Sequence, residues 1–228
     1  MARRSSTWLL IGLAGALSAG CGSSSSSSRG IASQPPQTIL KSSVAAADSL
    51  KSVHAAGSIV SGGEHVAIDL HLLGGVGGRG QITLNGLAFQ LVGVRNYAYM
   101  QAPSQVWQRA GAPSAAAQRL KGRWLRTPAT GGFASVAQLT DLHKLFHQLL
   151  TPHGTLVGTG ATSTVAGRPV VAVKSGEGTL YVAATGEPYP VELVKPGDNG
   201  GHITFDHFNE AITVAAPSNT IDLPQVSG

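Results

Sequence analysis

The chain has 228 residues and a formal net charge of +5, with charged residues making up only 12% of it. That mild balance excludes a strongly basic nucleic-acid binder, and 42% hydrophobic content excludes a disordered chain. A single cysteine excludes an internal disulfide, so packing alone must hold the fold.

Arg3 and Arg4 begin the chain with positive charge. The apolar run Trp8–Leu17 follows, then Ser18, Ala19 and Gly20 ahead of Cys21. A charged start, a short hydrophobic segment and a small-residue cleavage site make a secretory signal over 1–20. The apolar run is far shorter than the roughly 20 residues a membrane-crossing helix needs. The tail resembles a bacterial lipobox, with Ser18 where Leu is usual and Leu17 one position further back. It implies a diacylglyceryl group on Cys21, whose two acyl chains anchor stably where one does not. The chain is then exported and tethered at the outer face of the cell membrane. Ordinary secretion with Cys21 unmodified is the alternative. Residues 21–37, with serine from Ser23 to Ser28, read as a flexible linker with a reach on the order of 20 Å.

Residues 38–228 read as one domain. Leu40, Val44, Ala47 and Leu50 recur at helical spacing, predicting a helix over Thr38–Val53. Val66, Ile68, Leu70 and Leu72 alternate as in a half-buried strand. The glycine-rich run Gly74–Gly80 reads as an interruption before Ile82 and Leu84 resume the alternation. Asn85-Gly86 is a two-residue hairpin signal, and Leu87–Val94 is the next strand, with Phe89 and Leu91 on one face. Asn96–Gln101 completes an antiparallel meander. From Ala102 to Gly132 the pattern loosens, apart from Trp107 and Trp124. A second helix is predicted over Ser135–Leu150, with Val136, Leu139, Leu142, Leu145, Phe146 and Leu149 in one stripe. Strands return over Thr155–Ala166, Arg168–Ser175, Thr179–Ala184, Val191–Lys195 and His202–Phe208, and a last extended stretch reaches Ile221.

No chemistry-bearing motif stands out. Gly75–Gly80 fits G-x-G-x-x-G on paper, but a strand follows where a dinucleotide site needs a helix. His143 and His147 lie four apart without further ligands, so no metal is expected there. No G-x-S-x-G elbow occurs, and Asp206-His207 reads as a strand edge. Between Arg95 and Arg126 there is no acid. That stretch is either a solvated face or a contact with anionic headgroups. Trp107 and Trp124 beside these arginines read as an interfacial anchor or as rim packing.

Several short stretches, in their order, carry a resemblance. They are Val94–Tyr97 with Trp107–Arg109, Val165–Val170, Thr179–Val182 with Gly186–Pro190, and Ile203–Phe208 with Pro217. From Thr38 to Leu223 the chain resembles the LolA-like carriers, and more closely the mycobacterial-type LppX/LprG lipoproteins. The resemblance implies an α+β fold, a curved antiparallel sheet (half-barrel) with helices covering its concave face and acyl chains held between them. The function it implies is carriage of lipid or lipoglycan acyl chains by a non-enzymatic protein without cofactors. Its partners would be the membrane through Cys21, the lipid ligand and envelope transport proteins, with no nucleic acid. Few aromatics, 5% of residues, and abundant aliphatics suit such a cavity. Periodicity nominates Leu70, Leu84, Phe89 and Leu91 as sheet walls, closed by Val136, Leu139 and Leu142. The rival is an interaction or sensory module of the same fold with a filled core.

Overall fold

The computed structural model describes residues 29–130, 137–151 and 155–222. Cys21, the signal, Val136 and the last six residues lie outside them. Two helices come first, α1 (Arg29–Ala32) and α2 (Pro36–Asp48). Ile31 and Ala32 already pack against the core, ahead of Thr38. Pro36 opens α2 at a position where no backbone donor is needed. The helix ends at Asp48, short of the predicted Val53. The backbone N–H and the hydroxyl of Ser49 both donate to the Ala46 carbonyl, at 3.1 and 2.7 Å. Val53 instead belongs to β1 (Ser52–Ser61), which pairs along both edges, and that tertiary pairing overrides the helical spacing.

The meander continues through β2 (Glu64–Leu73), β3 (Gly77–Leu84), β4 (Leu87–Val94) and β5 (Tyr97–Gln101). Asn85 and Gly86 have φ of 48° and 79°, as the type I′ hairpin requires. The glycine-rich run is not wholly a loop, since Gly77, Gly78 and Gly80 pair with Leu73, Leu72 and Leu70. The loose region contains α3 (Ser104–Arg109), α4 (Ser114–Leu120) and β6 (Trp124–Pro128). Trp107 is only 5% exposed, so it is a core side chain and not a surface anchor. The predicted second helix is interrupted: Ala137 and Gln138 are helical, Leu139 and Thr140 form a turn, and α5 spans Leu142–Leu150. Thr140 Oγ1 donates to the Ala137 carbonyl at 2.7 Å, and the Asp141 carboxylate accepts the Lys144 N–H at 3.1 Å, so a fresh N-cap starts here.

The second half supplies β7 (Leu156–Thr159), β8 (Ser163–Val165), β9 (Arg168–Ser175) and β10 (Thr179–Ala183). After these come β11 (Pro190–Lys195), β12 (Gly201–Asp206) and β13 (Ile221–Asp222). All thirteen strands form one sheet, ordered β13-β6-β5-β4-β3-β2-β1-β12-β11-β10-β9-β7, with β8 also on β9. Every pairing is antiparallel except β13 with β6. Among the described residues the ends of the order do not pair, so the sheet is an open, curved one in an α+β fold. The β1–β12 pairing is the seam joining its two halves.

One cross-strand row runs Phe205, Ala55, Leu70, Gly80, Leu91, Met100 and Leu125. All but Gly80 are buried core side chains. A Cβ on Gly80 would fall 2.0 Å from the Asp69 carbonyl oxygen, so only glycine lets the strands draw together there. Ile39, Trp107, Ala117, Leu142 and Phe146 of the helices share the same buried cluster. On the opposite face Val214 packs with Val92 and Tyr99, so the stretch after β12 crosses that face. No helix among the described residues is long and apolar enough to cross a membrane.

Candidate functional site

The inner face carries two apolar clefts at opposite ends of the sheet. The first, about 170 Å³, lies where α2 and α5 meet β9–β11 and is lined by Leu40, Leu149, Leu156, Val173, Leu180 and Leu193. Leu40 comes from the polar–apolar boundary of α2, and Leu149 from the edge of the α5 stripe. Both are half-buried because they stand over the opening instead of in the packed centre. The second cleft, about 250 Å³, is bounded by Leu84, Phe89, Met100, Val106 and Arg109, between β3–β5 and α3.

Between the clefts the core is closed. Phe146 of α5 and Phe205 of β12 lie with ring centroids 5.0 Å apart, and each is 1% exposed. Leu70, Leu91 and Leu142 are packed into the same cluster at 0%, 0% and 1% exposure. Of the wall residues nominated from periodicity, Leu84 and Phe89 meet at the second cleft. Leu70 and Leu91 flank Gly80 in the inner row. Leu139 is half-buried against the core beside the start of α5, where Leu142 enters it. Val136 lies outside the described residues. The residues of the first cleft were missed, although the alternation in Leu180 and Val182 and in Leu193 placed them on strands.

A third, more polar groove of about 350 Å³ sits at the N-terminal end of α5, with Arg95, Asn96, Tyr97, Asp141 and Lys144 on its walls. Burial would raise the Asp141 carboxyl, but hydrogen bonds from the Lys144 backbone and side chain outweigh it and hold the group below its ordinary range. Arg126, at the end of the acid-free stretch, is not free to meet a headgroup. Its guanidinium makes two hydrogen bonds to Asp222, at 2.6 and 2.9 Å, and stacks over Tyr97.

The outer face carries a different chemistry at the seam. His54 of β1, Asp69 and His71 of β2, and Asp206 of β12 share that face, and His207 follows directly. His54 Nδ1 is 2.7 Å from Asp206 Oδ1, and His54 Nε2 is 3.1 Å from Asp69 Oδ1. His207 has φ of 50°, which turns its ring back so that Nδ1 lies 2.6 Å from the same Asp206 oxygen. Sequence reasoning missed this cluster because His54 was assigned no strand. Asp69 and His71 two apart on β2, with Asp206-His207, were the available signal.

Among solved structures, LprF from Mycobacterium bovis aligns with a TM-score of 0.53 and 16% identity, covering 80% of this chain and 96% of that chain. The chain resembles LprF in fold. The lipoprotein LppX of Mycobacterium tuberculosis also aligns, with a TM-score of 0.49 and 16% identity over 79% of this chain and 98% of that one. The expected likeness to these lipoproteins is met at the level of the fold, through LprF. No family model matches the chain, and no curated protein matches it.

Proposed function

We propose that this protein is an exported lipoprotein, anchored through an acylated Cys21 at the outer face of the cell membrane, that binds and carries lipid acyl chains. The ligand would be a lipid or lipoglycan, held between the concave side of the sheet and helices α2 and α5. Envelope transport proteins would be its protein partners, and no reaction is catalysed. The observation that carries this reading is the pair of apolar clefts on one face of an LprF-like sheet, on either side of a packed core.

Each apolar cleft is smaller than the roughly 300 Å³ at which ligand pockets begin. Acyl chains would therefore enter by parting α5 from the sheet and joining the clefts, with chain methylenes replacing protein contacts. Moving chains from bilayer to such a cavity is nearly neutral in burial energy, so loading would be reversible. The complete burial of Leu70, Leu91 and Leu142 favours a second reading, an interaction module of the same fold whose core stays filled.

Titration of the full chain with fluorescent fatty acids of increasing length separates the two. A carrier gains affinity with each methylene, by roughly 0.8 kcal/mol, until the cavity is full. It also yields lipid on organic extraction after purification from its membrane. A flat response and no extracted lipid would leave the filled-core module.

A further inference from the structure

We infer that His54, Asp206 and His207 form a site for a divalent transition metal of the zinc class on the outer face of the sheet, with Asp69 orienting His54. The three ligand atoms lie within 4.8 Å of one another, and the two imidazole nitrogens already converge on one Asp206 oxygen. Zinc binds imidazole nitrogen at about 2.0–2.1 Å and carboxylate oxygen at about 2.0–2.2 Å, which sets ligand atoms about 3.3 Å apart in a tetrahedron. The present contacts of 2.7 and 2.6 Å would lengthen toward that separation when the ion enters.

The surroundings of His54 on its other side fit the same site. Both its ring nitrogens face carboxylates, an arrangement satisfied by a ring with two N–H groups or by a ring with a metal on one nitrogen. With a metal on Nδ1, the N–H is on Nε2 and donates to Asp69 Oδ1 at 3.1 Å. This is the carboxylate–histidine–metal relay that fixes tautomer and ring direction at metal centres. The His71 ring stacks on His54 at 4.5 Å and 23°, which holds the plane of the ligating ring. Arg79 pairs with His71 across β2 and β3, on the side away from Asp206 and His207, so its charge is the more distant one.

Two imidazoles with one carboxylate select a transition metal over calcium or magnesium, which take oxygen ligands. Three protein ligands leave a fourth position for water. The ligands come from the β1–β12 seam, so the ion would tie the two halves of the sheet together.

The test titrates zinc chloride into the chelator-stripped full chain at neutral pH, read by competition with a chromophoric chelator, and repeats it with cobalt chloride read by visible absorbance. One ion per chain is expected, with cobalt bands of a nitrogen–oxygen site. His207→Asn keeps a residue that tolerates positive φ and should weaken binding at least 10-fold and abolish the bands. Asp69→Asn, which touches no metal, should weaken it by about 10–100-fold. The pair His143→Ala and His147→Ala removes the two imidazoles of α5, which lie outside the site, and should change nothing. Absence of stoichiometric uptake, indifference to His207→Asn, or loss on removing His143 and His147 would each overturn the site.

Discussion

Gly93 lies directly beneath Thr140: a Cβ on Gly93 would stand 1.9 Å from Thr140 Oγ1 and 2.6 Å from its Cβ. Gly78, its partner on β3, meets the Thr140 carbonyl in the same way, at 3.0 Å. Two glycines facing each other across adjacent strands thus form the seat on which the turn before α5 rests. Thr140 is 3% exposed there, and its hydroxyl is satisfied by the Ala137 carbonyl. Gly93→Ala should lift the start of α5 and destabilise the domain by about 1–3 kcal/mol, the usual range for overpacking. Urea unfolding checks this. A midpoint equal to that of the parent would mean that the turn is free to move.

Asp141 caps α5 and should make the helix sensitive to acid. Replacing it with Ala should cost about 1 kcal/mol, as the loss of an N-cap does. Its carboxyl is held below the ordinary value of 3.8 by the Lys144 hydrogen bonds, against the opposing effect of burial. A depressed folded-state value stabilises the fold above the unfolded pKa and loses that stabilisation as pH falls through the folded one. The difference between parent and Asp141→Ala should therefore be full above about pH 4 and shrink below it. Unfolding curves of both proteins across that window measure it; a constant difference would assign the effect to something other than the cap.

The strands whose partners are their neighbours in sequence were legible. Leu87–Val94 and Arg168–Ser175 match their predicted limits, because alternation and flanking turn residues mark both ends. β1 was not legible: its second partner, β12, arrives nearly 150 residues later, and Val53 fits the helical spacing of the segment before it. Gly77, Gly78 and Gly80 have no side chains to alternate, so their strand pairing could not show in a hydrophobic pattern. In α3 and α4 only a few side chains are buried, too few for a period to emerge over six or seven residues. The apolar walls were half legible for the same reason. Periodicity says which residues share a face, and it nominated Leu84 and Phe89 together. Which buried leucines border a cleft and which fill the centre depends on how α2 and α5 cross the sheet. The outer-face histidines needed the β1–β12 register, which long-range pairing alone supplies.

The anchor makes a separate prediction. The proposed export signal ends at Ser18-Ala19-Gly20-Cys21, and Cys21 is the only cysteine in the sequence. Cys21→Ala should move the protein from the membrane fraction to the soluble one while its melting temperature stays unchanged, since the described residues that pack against the core begin only at Ile31. Fractionation with mass analysis of the mature N-terminus checks this. A parent protein that is soluble after export, with an unmodified Cys21, would remove the anchor from the proposal.

The closed centre of the inner face yields the sharpest test of the carrier reading. Phe146 and Phe205 stand between the two apolar clefts, and separating them is the step by which the clefts would join. Phe146→Ala should destabilise the protein by about 3–5 kcal/mol, because a large buried ring is lost and the space is only partly refilled. In a filled-core module that loss is the whole effect. In a carrier, removing the ring also lowers the cost of reaching the joined cavity, and the apparent affinity rises as the competent state becomes more populated. The variant should therefore melt earlier when empty, bind long acyl chains more tightly than the parent, and recover part of its lost stability when they are added. Leu193→Trp, filling the first cleft from β11, should do the opposite and lower affinity with little change in melting. Thermal unfolding of both variants with and without a saturated fatty acid decides the matter. A Phe146→Ala protein that is merely less stable, with no acyl-dependent recovery, would place the clefts as surface irregularities of a packed domain.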